Sequence, residues 1–305
     1  MSTAKKPPIN PIVLVIIGVT SVSFAAIFVR LSTAPAAVIA FWRLLIATLA
    51  TSLLLLPKGG FAWPTWREAR YTLLSGTLLA LHFWSWFQSL KLTSVASSTV
   101  LVATQPFFVI IAARFLLAER LSARARIGVL LTFLGTILIG TSGGTYGSTL
   151  LGNGLAVLAA AFAATYFFIG HLARSSLDLN TYTFWSYLTC TLALGLISLF
   201  KGYSFGPYSA LDWWAFLGLG LICHIGGHTS FNWALGYVSP SVVATAVLGE
   251  PVGATLWAWF FFQEAPTPLE IVGGTLTITG LIVFMGQATL NGLRRNKHEV
   301  KSEES

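Results

Sequence analysis

The stretch VLGEPVGATLWAWFFF, residues 247–262, sets a carboxylate beside a proline, Glu250 and Pro251, inside an otherwise apolar run. Glu250 can exchange a proton or hold a cationic group, and an acid in such a segment is by default a functional candidate. The competing reading is structural: an ion pair, or a protonated carboxyl bonded to a neighbouring helix. Pro251 has no N–H and deprives the carbonyl of Val247 of its usual helical partner; Pro106 does the same to Val102, so a helix kink is expected at each proline. In lipid, freed carbonyls are tolerated only where protein or a water-filled cavity surrounds them.

Arg43, in FWRLL, is another charge well inside an apolar run. Arginine cannot escape its charge by losing a proton, so it needs a carboxylate, carbonyls or water. It binds an anionic group, pairs with Glu250, or snorkels to the surface along its aliphatic stem. His224, His228 and Asn232 are spaced by four and share one face of an α-helix. This stripe reads as cavity lining or a proton relay, or else as structural hydrogen bonding. A metal site is disfavoured, since neither HExxH nor a third clustered ligand accompanies the histidines. His82 and Trp86 lie one turn apart, as do Ser97, Leu101 and Gln105 along the next run. Those side chains supply hydrogen bonds and an aromatic wall for a small solute.

The elements that must position these residues are membrane spans. The chain of 305 residues is 55% hydrophobic and only 9% charged, where a soluble domain carries roughly a quarter charged. Its mean hydropathy is +0.76. The net charge of +8 sits in short breaks between apolar runs, so it reads as a topology signal and not as a nucleic-acid surface. Cys190 and Cys223 lie inside apolar runs without CxxC spacing, which indicates neither a disulfide framework nor zinc. At about 20 apolar residues per crossing, spans fall near 11–31, 36–56, 71–89, 95–117, 124–142, 150–171, 181–200, 213–236, 239–263 and 268–290. The first run exceeds a signal-peptide core and is read as a retained span. Lys5, Lys6, Lys58, Arg67, Arg70, Arg120, Arg124, Arg126, Arg174, Arg294, Arg295, Lys297 and Lys301 fall on one side of this layout. Only Arg30, Lys91 and Lys201 fall on the other, so both termini are expected in the cytoplasm. Trp63, Trp66, Trp213 and Trp214 read as interfacial anchors.

The chain also repeats. At a shift of 145, Leu90 meets Leu235, Pro106 meets Pro251, Glu119 meets Glu264, and Gly128, Thr132 and Gly135 meet Gly273, Thr277 and Gly280. Phe41-Trp42 meets Phe184-Trp185 at a shift of 143. Five spans per half force the second half to enter upside down, the arrangement many secondary transporters use for alternating access around a midplane site. The expected architecture is all-α: ten transmembrane helices as two inverted five-helix repeats, 1–142 and 150–290, around a central cavity, with a cytoplasmic tail at 291–305. The two glycine–threonine seams let helices approach closely, for packing or for a homodimer contact.

Several of these features resemble the drug/metabolite transporter superfamily in its EamA-domain branch. They are the two five-span halves, SFAAIFVR followed by IAFWRLLIA, the sites Gln105-Pro106 and Glu250-Pro251, and the span-ending acids in FLLAER and FFFQEA. The resemblance implies a carrier of the cell membrane with a central cavity, often exporting metabolites such as amino acids. The chain carries no GxxxxGK[ST], so no nucleotide-driven pump and no cofactor is indicated. The rival class is a membrane-embedded enzyme using the His224/His228 face, although GxSxG is also absent.

Overall fold

The computed structural model describes residues 7–55, 62–92, 98, 101–116, 121–142, 150–262, 268–269 and 271–284. Ser97, Glu119, Glu264 and the tail from 291 lie outside them. Every regular element among the described residues is helical. Asn10 caps the first helix by accepting from the N–H of Ile12 at 3.0 Å, and Pro11 occupies the first turn, where its missing N–H has no intrahelical role. This helix, α1 (Pro11–Val22), breaks at Ser23 and resumes as α2 (Ala25–Leu31). There follow α3 (Ala36–Leu55), α4 (Trp66–Leu92), α5 (Gln105–Leu116), α6 (Ala123–Ser142), α7 (Leu150–Ala173), α8 (Leu179–Phe200) and α9 (Ala210–Leu217). The chain continues through a π-helical segment (Gly218–Thr229) into α10 (Ser230–Ala234), α11 (Pro240–Val247) and α12 (Glu250–Phe262). The last described helix is α13 (Ile271–Phe284).

Among the described residues, six helical stretches are long and apolar enough to cross a membrane. Their burial pattern suits lipid. Leu49, Leu53, Leu192, Leu196 and Leu199 are exposed, whereas Arg43, Thr48, Thr191 and Asn232 are buried. Polar groups face inward because hydrocarbon offers them no hydrogen bonds.

The breaks at the two prolines are sharper than the kinks expected. Turns at Ala103-Thr104 and at Leu248-Gly249 end one helical stretch, and new helices start at Gln105 and Glu250. Each proline thus sits in the first turn of a helix, where its ring clashes with nothing. The eighth run also differs from the uniform α-helix that the spacing predicted, because its middle is π-helical. Its glycines admit bulky neighbours: Phe28 stands over Gly218, Ile46 over Gly220 and Val22 over Gly227.

The halves interlock. The most extensive packing joins α4 to α7 and α8, and α3 to α8. The repeat-equivalent helices α6 and α13 cross antiparallel, since Gly128 abuts Gly280 while Gly135 abuts Gly273. Thr277 Oγ1 donates to the carbonyl of Thr132, its own repeat-mate, at 3.4 Å. Both glycine seams are therefore spent inside one chain, which removes the observation that suggested a homodimer.

Candidate functional site

Arg43 enters the core from the middle of α3 and is 1% exposed, so it does not snorkel. Its guanidinium is held from three directions. Nε donates to Nδ1 of His224 at 3.3 Å, Nη2 reaches the carbonyl of Cys223 at 3.5 Å, and the Phe83 ring lies 4.2 Å beneath Cζ. The ring face attracts a cation and replaces part of the lost hydration. Nη1 has no partner, so Arg43 and Glu250 are not paired here.

His224 owes its tautomer to this contact. Its Nδ1 accepts from a guanidinium that can only donate, so the neutral ring carries its proton on Nε2. That Nε2 is buried without a partner, as is Nδ1 of His228. The two rings stack at 5.0 Å with 12° between planes, and Tyr187 meets the His224 ring edge-on at 4.3 Å. The wide turns of the π-helix keep residues four apart near one another, so the predicted shared face survives the change of helix type. Among the described residues, no group of three or more His, Cys, Asp or Glu side chains stands ready to hold a metal ion.

Asn232 has the geometry of the second alternative for the stripe, structural hydrogen bonding. Its Oδ1 accepts from the Tyr166 hydroxyl at 2.8 Å and its Nδ2 donates to the Tyr187 oxygen at 3.1 Å; Tyr187 also bonds Thr229 at 2.9 Å. An amide engaged by two tyrosines braces α10 against α7 and α8. Tyr166 itself lines the cavity. Sequence reasoning missed it because a lone tyrosine in an apolar run looks like interfacial packing.

His82, on α4, is 6% exposed, and its Nδ1 lies 3.0 Å from the carbonyl of Ala159. A carbonyl only accepts, so Nδ1 carries the proton and Nε2 of the neutral ring is an acceptor. Trp86 stacks on it at 5.9 Å. The indole nitrogen of Trp86 and Nε2 of Gln105 are both buried without partners.

These side chains converge. A narrow void is walled by Arg43, His82, Trp86, Gln105, Tyr166, His228 and Glu250 among others. A second, smaller void shares Trp86, Gln105 and Glu250 with it and extends to Pro106 and Pro251. Gln105 and Glu250, equivalent by the repeat, face the same void from opposite halves. His224 supports Arg43 from behind, and Ser97 lies outside the described residues. What the arrangement offers is a row of unused donors from Arg43, Gln105 and Trp86, with Glu250 as the carboxylate among the lining residues.

A model of the EamA-like transporter family matches residues 9–141 and 150–286. Among curated relatives, the pseudopaline exporter CntI of Pseudomonas aeruginosa is 28% identical over 254 residues, 83% of this chain and 87% of that protein. The uncharacterized transporter YxxF of Bacillus subtilis is 26% identical over 99% of this chain and 96% of its own length. A probable terminal-alkyne amino-acid exporter of Streptantibioticus cattleyicolor is 29% identical over 65% of this chain and 66% of its own. A solved crystal structure with 18% identity superposes at a TM-score of 0.77, covering 92% of this chain and 97% of that one, which shows the shared fold.

Proposed function

This chain belongs to the EamA-like transporter family, and from that premise we propose that it is a secondary active carrier exporting a small zwitterionic solute of the amino-acid kind. Two inverted five-span halves, ten spans in all with both termini in the cytoplasm, rock about the central cavity and open it to each side in turn. Arg43 from the first half receives the carboxylate of the solute through its unused Nη1. Glu250 from the second half receives the ammonium group, or a proton when no solute is bound, and that competition couples export to proton exchange. Gln105, Trp86 and His82 supply the remaining hydrogen bonds and an aromatic wall.

The observation that carries this reading is the placement of an unpaired guanidinium nitrogen and a carboxylate on one void, one from each half. A built-in ion pair would have consumed both charges; a carrier needs them free until its solute arrives. The name of one relative, a probable terminal-alkyne amino-acid exporter, supports this substrate class, and that of another, a pseudopaline exporter, supports export of a small molecule. The test is a thermal-stability screen of the purified chain against zwitterions, simple carboxylates and simple amines. Stabilisation by binding follows mass action, so the zwitterions should raise the melting temperature most. An equal response to the carboxylates alone would remove Glu250 from recognition.

A further inference from the structure

Two carboxylates at opposite faces of the molecule are repeat-mates held in different states. Asp212 follows Ser209 by three residues, and Glu68 follows Thr65 by three; the shift is 144 in both cases. Each forms the same reciprocal cap on its helix. Oδ2 of Asp212 accepts from the Ser209 N–H at 3.2 Å and its hydroxyl at 2.6 Å, while the Asp212 N–H returns to Ser209 Oγ at 3.2 Å. Oε2 of Glu68 accepts from the Thr65 N–H at 2.9 Å and its hydroxyl at 2.7 Å, while the Glu68 N–H returns to Thr65 Oγ1 at 3.4 Å.

The second oxygen of each acid is what differs. Oδ1 of Asp212 crosses to the other half, accepting from Ser32 Oγ at 2.8 Å and the Thr33 N–H at 2.7 Å, with Thr33 Oγ1 at 3.3 Å. Asp212 is only 1% exposed in consequence. The repeat-mates of Ser32 and Thr33, at a shift of 143, are Ser175 and Ser176. Their hydroxyls do not reach Glu68 and turn back to the carbonyls of Leu172 at 2.7 Å and Ala173 at 3.4 Å. Yet the elements are already neighbours. Tyr71, one turn beyond Glu68, packs on the cluster of Ala173, Leu177 and Tyr182.

One other cross-half contact is symmetric. Trp42 Nε1 donates to the carbonyl of Phe205 at 3.2 Å, and its mate Trp185 donates to Ala62, the mate of Phe205, at 3.0 Å. The halves therefore match at these tryptophans and differ at the two acids. An inverted repeat that changes access exchanges the conformations of its two halves. The contact now made at one face is then made by the equivalent residues at the other.

We propose that Asp212 and Glu68 are the two ends of one alternating gate: Asp212 holds the 32–33 loop while that face is shut, and Glu68 takes the hydroxyls of Ser175 and Ser176 when the opposite face shuts. This rests on the carrier reading above. In the present structure the face bearing the 32–33 loop is the latched one.

The test reads access to the cavity and needs no known substrate. Ala163→Cys, on the cavity wall, is placed in the full chain with Cys190→Ala and Cys223→Ala, and labelled by a membrane-impermeant maleimide in right-side-out and inside-out vesicles. Ser32→Ala/Thr33→Val should raise labelling from the face of that loop about five-fold relative to the other face, and Ser175→Ala/Ser176→Ala should do the reverse by a similar factor. A cysteine that labels from both faces, with a ratio that the serine pair leaves unchanged, overturns the gate and spares the carrier. Labelling from a single face in every variant overturns the carrier and the gate with it. A second measurement covers poor folding of the serine pair. Glu68→Cys/Ser176→Cys should be joined by a short bifunctional thiol reagent in a population excluded by cross-linking Thr33→Cys/Asp212→Cys; coexistence of both cross-links in one molecule overturns the proposal.

Discussion

Thr48 and Thr191, 143 residues apart, meet with their hydroxyl oxygens 3.2 Å from each other. The interval equals the shift that carries Phe41-Trp42 onto Phe184-Trp185, so the two threonines are repeat-mates. Mates can touch only on the axis that relates the halves. Thr132 and Thr277 mark a second point on that axis. Each of the first pair also lies 2.8 Å from the carbonyl four residues back, Leu44 for Thr48 and Tyr187 for Thr191. With one proton per hydroxyl, one threonine must give up its backbone bond to donate to the other, so the symmetry is broken at the axis itself.

A contact on the axis should be kept in both access states. Thr48→Val and Thr191→Val are each expected to lower stability by about 1 kcal/mol, the usual net worth of a buried hydrogen bond. The double variant should cost less than the sum, and the two-face labelling ratio of the Ala163→Cys reporter should stay where it is without the threonine changes. Melting curves and the vesicle assay check the two halves of this statement.

The glycine seam tolerates no side chain. A Cβ on Gly280 would stand 2.6 Å from the Gly128 carbonyl oxygen, whereas one on Gly154 would meet nothing within 4 Å. Gly280→Ala should therefore destabilise by about 1–3 kcal/mol through overpacking. Gly154→Ala should stabilise its helix by about 0.5–1 kcal/mol. Equal melting temperatures for the two variants would contradict the antiparallel crossing of α6 and α13.

Arg43→Lys keeps the charge and loses the fork. An ammonium group carries its three donors on one atom and does not reach His224, Cys223 and the cavity at once, as the three nitrogens of the planar fork do. Transport of the zwitterion is expected to fall about ten-fold or more, as the loss of a charge-assisted hydrogen bond implies, chiefly through a raised KM. Counterflow in liposomes measures it. A lysine variant with the wild-type KM would show that the guanidinium only supports the fold.

Glu250→Gln removes the proton and the charge but keeps the shape. Solute-driven proton movement should vanish, while melting without ligand should change little, because no ion pair is broken. Proton release recorded with a pH dye at the wild-type rate would take Glu250 out of the coupling step.

Much of this architecture could be read in the residue order. Apolar run lengths and the 145-residue shift displayed helices in two related halves, and charges inside those runs singled out Arg43 and Glu250. Other parts were hidden for identifiable reasons. The π-helical stretch depends on bulky neighbours filling the space over Gly218, Gly220 and Gly227, and those neighbours come from distant helices. The engagement of Asn232 depends on Tyr166 and Tyr187, 66 and 45 residues away. Helical spacing alone grouped Asn232 with the cavity side chains.

Local chemistry decides whether a segment can live in lipid, and that is written into each run of about twenty residues independently of the rest. The membrane class, the duplicated pattern and the costly charges follow from it. Which nitrogen of His224 carries a proton, which arginine nitrogen is left over and which of two equivalent acids is latched are relations between groups far apart in the chain. They exist only once the halves have packed against each other, because a donor is free or engaged according to what the fold brings within about three ångströms of it.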